Sequence, residues 1–154
     1  METNNNQVVD SLNNLIQINN DRIQGYITAA KETEESDLKN LFSEMMNTSQ
    51  ECRRELTDAV IKLGGSPVEG TTTSGKIYRV WMDVKAALTS KDRTAILNSC
   101  EFGEDAALKT YDMELNGDAL NNGSNNDYTT LVQQQKSKIK AEHDKIKQLR
   151  DASK

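Results

Sequence analysis

Apolar residues return at steps of three and four over four long stretches of the chain. Across residues 8–34 the stripe is Leu12, Leu15, Asn19, Ile23, Tyr26 and Ala30. Across 37–63 it is Leu38, Phe42, Met45, Ser49, Cys52, Leu56, Ala59 and Leu63. Leu97, Cys100, Glu104, Leu108, Tyr111 and Leu115 mark 91–115, and Tyr128, Val132, Gln135, Ile139, Glu142, Ile146 and Leu149 mark 127–151. This period belongs to a helix with one buried face, so each stretch predicts an amphipathic helix of about seven turns. A shorter stripe, Ile77, Val80, Trp81, Val84 and Leu88, predicts a further helix over 74–89, between Ser74 and Thr89.

The punctuation between stripes agrees. Ser36 is placed to cap the second helix, and Gly64-Gly65 to end it. Thr89 or Ser90 is placed to cap the helix at 91–115, Gly117 to follow it, and Asn126 or Asp127 to cap the last. The segment NGDALNNGSNND reads as a solvated connector. The first two helices are almost contiguous and predict an antiparallel hairpin, whereas the next long helix follows only after a crossover holding the short one. Helix pairs joined by one long crossover are the ferritin-like connection. The predicted fold is therefore all-α: one ferritin-like antiparallel four-helix bundle over 1–154, with a short fifth helix in the crossover.

Composition sharpens this picture. A single Pro in 154 residues, with 35% apolar and 28% charged residues, suits long helices. The net charge of −5 argues against a nucleic-acid partner. Residues 127–154 are locally basic, as suits a helix C-terminus, and no aromatics interleave with them. No apolar run is long enough to span a membrane. The segment METNNNQVVD has neither the basic nor the apolar region of a secretory leader, which gives the expectation of a cytoplasmic protein. Cys52 and Cys100 are too few for a disulfide framework and lack zinc-knuckle spacing. On diagonal helices they are placed to be free thiols.

The inward stripes carry polar residues near mid-helix: Asn19, Ser49, Gln135 and Glu142, with Glu104, Cys52, Lys140 and His143 at similar depth. Buried polar groups need partners, so such a layer is either a hydrogen-bonded network or a metal site. Thiolate, carboxylate and imidazole suit Zn²⁺, which makes Cys52, Glu104 and His143 the candidate metal ligands, with Glu101 and Glu142 able to join. The alternative pairs Glu104 with Lys140 or His143 and leaves Cys52 as a small buried hydrophobe. Met45, Met46 and Met113 are not read as haem ligands, since Met45 lies on the core stripe and Met is common core filler. No nucleophile–base–acid constellation and no phosphate-binding glycine loop is present.

The strings LNNLIQINNDRIQGYITAAKETE, ELTDAVIKLGGSP, WMDVKAALTSKDRTAILNSCEFGEDAALKTYDMEL and IKAEHDKIKQLRDA resemble a bacterial ferritin-like four-helix-bundle family of unknown function, over roughly residues 8–152. The resemblance implies a ferritin-like fold without implying iron chemistry. Di-iron bundles draw one Glu from each of two helices and Glu-x-x-His from each of two others. Aligned with bacterioferritin-like proteins, those positions fall on Asn19, on Ser49 and Cys52, on Glu104, and on Lys140 and His143. Only Glu104 and His143 keep the ligand type. A second frame, Glu51 and Arg54, also lacks the His.

These readings converge on a non-catalytic bundle with no cofactor and an incomplete di-iron site. The kind of family it resembles implies a stress-related role through protein contacts. Two alternatives stand beside it: a degenerate mononuclear Zn or Fe site, and a redox-responsive thiol module using Cys52 or Cys100. The stripe around Trp81 either covers the bundle flank or forms a homodimer contact.

Overall fold

The computed structural model describes residues 2–70, 75–121 and 126–153. Among them are six helices: α1 (Glu2–Glu32), α2 (Ser36–Lys62), α3 (Gly75–Ser90), α4 (Arg93–Asn116), α5 (Asp118–Asn121) and α6 (Asn126–Ala152). No strand occurs among the described residues. None of their helices is long and apolar enough to cross a membrane. The four long stripes become α1, α2, α4 and α6, and the short stripe becomes α3. Ser74, and the side chains of Ile77, Asn126 and Asp127, lie outside the described residues.

Three expected boundaries change for local reasons. Ser36 is the first residue of α2 rather than its cap. The cap is Glu35, whose side chain accepts from Arg93 Nη1 at 2.8 Å instead of closing on its own helix. Thr89 and Ser90 belong to the end of α3, where their hydroxyls donate to the carbonyls of Ala86 and Ala87. The cap of α4 is Asp92, whose carboxylate accepts from the Ala95 amide at 3.2 Å. The connector after Gly117 is not simply solvated: Leu120 of α5 is buried in the core, and its carbonyl accepts from Thr129 Oγ1 at 2.7 Å. Gly64 ends α2 with a φ of 81°, a left-handed conformation open to glycine.

Cross-helix pairs fix the arrangement. Asn20 meets Arg53 and Arg22 meets Ser49, so α1 and α2 are antiparallel. Asn14 meets Glu114 and Arg22 meets Glu104, so α1 and α4 are antiparallel. Glu55 meets Gln135 and Glu44 meets Lys145 across α2 and α6. Tyr111 meets Gln135 and Glu101 meets Arg150 across α4 and α6. Around the core the order is thus α1, α2, α6, α4, each neighbour antiparallel, with α2 and α4 on a diagonal. Cys52 and Cys100 sit on that diagonal, buried and unbridged.

The interior has two apolar halves. Leu12, Leu15, Leu56, Tyr111, Val132 and Ile139 belong to one. Tyr26, Phe42, Met45, Leu97, Cys100 and Ile146 belong to the other. Between them lie the buried polar residues Asn19, Arg22, Ser49 and Glu104, and Gln135 is buried within the first half, between Val132 and Ile139.

Helix α3 packs its stripe on the same chain. Val84 and Leu88 are buried, and Trp81 lies edge-on to Tyr26 with ring centroids 5.3 Å apart. Trp81 enters a notch floored by Gly25 of α1 and Gly103 of α4. A Cβ at Gly25 would stand 2.2 Å from its ring, and one at Gly103 3.0 Å. Trp81, Val84 and Leu88 of that stripe therefore pack on the flank of their own chain.

Candidate functional site

The polar layer is built around Arg22, which is fully buried in the middle of α1. Its Nε and Nη2 donate to the two oxygens of Glu104 at 2.8 and 2.7 Å, a bidentate pair. Its Nη1 donates to Ser49 Oγ at 2.6 Å, and Nη2 also reaches Glu142 Oε1 at 3.0 Å. The guanidinium carbon lies 5.5 Å from the centroid of the Tyr26 ring. The second oxygen of Glu142 accepts from Thr48 Oγ1 at 2.7 Å. One cation from α1 thus joins α2, α4 and α6.

The charges are held by each other. Burial by itself disfavours the guanidinium, but Glu104, together with Tyr26 and Glu142, raises the Arg22 pKa above its ordinary value. Burial pushes the Glu142 carboxyl up, against the pull of Arg22 and the Thr48 hydroxyl.

A second relay lies beside the first, on the side of Leu15 and Leu56. Asn19 Nδ2 donates to Tyr111 OH at 2.8 Å and to the Leu15 carbonyl at 2.9 Å. Tyr111 OH donates to Gln135 Oε1 at 2.7 Å. Gln135 Nε2 then donates to Glu55 Oε1 at 3.0 Å and to the Cys52 carbonyl at 3.2 Å. This chain again ties all four long helices.

The sequence-derived candidates separate in space. Glu104 faces Arg22, which corrects the pairing with Lys140 or His143. Lys140 is two residues from Glu142, hence on the outer side of α6, where its Nζ meets Asp144 at 2.7 Å. His143 turns toward α4, with Nε2 2.8 Å from Asp105 Oδ1 and Nδ1 3.0 Å from Asp144 Oδ1. Glu101 pairs with Arg150. Cys52 is buried, and desolvation pushes its thiol up to about 11. Burial raises Cys100 further still. Of the second alignment frame, Glu51 meets Lys138 at the exposed rim, and Arg54 is exposed. The metal-ligand grouping found among the described residues is Glu101, Asp105 and His143, not Cys52, Glu104 and His143.

The interior does not fit a di-iron group. Both oxygens of Glu104 are bonded by Arg22, and an amide, a hydroxyl and a protonated thiol stand at Asn19, Ser49 and Cys52. A fixed guanidinium at the same depth repels metal cations.

Arg22, Thr48, Glu55 and Asp105 are the site residues that sequence reasoning missed. Arg22 had a signal. It follows Asn19 by three and precedes Tyr26 by four, the spacing of the stripe itself. Ile23 satisfies the same steps and is apolar.

A family model for a domain of unknown function, DUF2383, matches residues 7–117. The chain belongs to the DUF2383 family. No curated protein matches it. The DUF2383 segment holds α1 from residue 7 onward and all of α2 to α4, and with them Arg22, Ser49 and Glu104. Glu142, Gln135 and His143, on α6, lie beyond that segment.

Proposed function

We propose that this protein is a ferritin-like four-helix bundle in the cytoplasm that acts through protein contacts and performs no redox chemistry in its core. One observation carries the reading: Arg22 fills the mid-bundle layer and occupies Glu104, with Glu142 and Ser49 completing its shell. The ring order of the four long helices and the α3 crossover support the ferritin-like assignment. The buried, proton-retaining thiols favour a packing role for Cys52 and Cys100 over a redox switch. Phe102 and Met113, about three turns apart on the outer side of α4, stay 64% and 62% exposed and leave apolar surface for a partner.

The test is anaerobic loading of tag-free protein with Fe²⁺, followed by admission of oxygen. The expected outcome is no protein-dependent acceleration of iron oxidation. A pair of irons per chain, oxidised rapidly and lost in Glu104→Gln, would overturn the reading.

A further inference from the structure

On the outer side of the bundle, away from Arg22, α4 and α6 bring a different set of groups together. Glu101 and Asp105 are one turn apart on α4, and His143 faces them from α6. Their ligand atoms all lie within 4.8 Å of one another. We propose that Glu101, Asp105 and His143 form a divalent transition-metal site, of the kind Zn²⁺ takes, at the α4–α6 seam.

Asp144 can only accept at neutral pH, so its contact with Nδ1 at 3.0 Å places a proton on that nitrogen. In the neutral ring Nε2 is then a lone pair, and it stands 2.8 Å from a carboxylate oxygen of Asp105. Two acceptors at that distance need a positive centre between them or beside them: either a second ring proton or a metal ion. A carboxylate behind the distal nitrogen is the arrangement that orients metal-binding histidines and raises their basicity. The His143 side chain is 12% exposed, so its ring is held by packing, whereas Asp105, at 53%, is free to adjust. One imidazole and two carboxylates suit Zn²⁺ and leave a coordination position for water.

Arg150 is the competitor. It pairs with Glu101, and a metal would have to draw that carboxylate away. Asp151 already contacts the same guanidinium, at 3.1 Å through Nη2, so Arg150 keeps a partner when Glu101 turns. Lys140, bonded to Asp144, is the other nearby cation. None of these groups takes part in the Arg22 layer.

The experiment is Zn²⁺ titration of the tag-free full chain against a chromophoric chelator, with Co²⁺ absorption as the readout of ligand type. One ion per chain with a nitrogen–oxygen Co²⁺ spectrum is expected. His143→Gln and Asp105→Asn should each abolish it, and Asp105 is exposed enough for that variant to keep its helical circular dichroism. Asp144→Asn should weaken binding by about 10–100-fold. Arg150→Gln should strengthen it by releasing Glu101. No binding by the wild-type chain overturns the site, as does binding that survives both His143→Gln and Asp105→Asn. In either case His143 is the central ring of a salt bridge to Asp105 and Asp144.

Discussion

A guanidinium at 0% exposure is uncommon, and its partners decide whether it stabilises the fold. Arg22 has four donated bonds inside the bundle, two of them to a carboxylate that is itself fully buried. Arg22→Met leaves Glu104 uncompensated and is expected to lower unfolding free energy by about 3–5 kcal/mol in urea titrations. Arg22→Met combined with Glu104→Leu should recover most of that loss, because an apolar pair of similar volume is often neutral or better than a buried ion pair. A double variant as unstable as the single would show that the layer is held by something other than this pair. The carboxylate, hydroxyl and amide positions of the layer were legible in the sequence, as Asn19, Ser49, Glu104, Gln135 and Glu142. Its cation was not, since helical spacing treats Arg22 and Ile23 alike and charge favours the surface for Arg.

At the scale of elements, α3 is the piece whose placement depends on contact rather than period. Its stripe was legible, but an amphipathic face does not say which surface covers it. Two glycines, one on α1 and one on α4, decide this by leaving room for the Trp81 ring. An Ala for Gly exchange inside a helix ordinarily gains about 1 kcal/mol. At Gly25 the sign is expected to reverse: the added Cβ would overlap the ring, a clash of the kind that costs about 1–3 kcal/mol. Trp81 is the sole tryptophan, so a red shift of its emission in Gly25→Ala should accompany the loss of stability. Helix α5 is a similar case. A four-residue helix is below what periodicity can detect, and only the buried Leu120 reveals why the connector folds back.

For the molecule as a whole, the α1–α2 turn, the start of α4 and the end of α6 meet at Arg93. Its guanidinium donates to Glu35 and to both oxygens of Asp37, and its Nε donates to Ser153 Oγ at 3.2 Å. The Arg93 hydrogen bond holds the Asp37 carboxyl below its ordinary value. The folded state therefore binds a proton there less readily than the unfolded chain does. Stability from this contact is present above the unfolded Asp value, about 3.9, and is lost as pH falls through the lower folded value. Wild type and Asp37→Asn should differ in melting temperature near neutrality and converge in acid. Asp37 is largely exposed, so the difference is expected to shrink in high salt as well.

The hydrophobic period alone determined that this chain is helical, where its long helices run, which faces they bury and at what depth polar groups collect. Period is a property of each segment taken by itself. Tertiary structure decided what those groups do to one another, because partner choice depends on which faces meet. It set Arg22 against Glu104, and it turned Lys140 outward by its angular offset from Glu142. It also carried His143 to Asp105 across the α4–α6 seam, a contact between residues whose separation along the chain holds no trace of it.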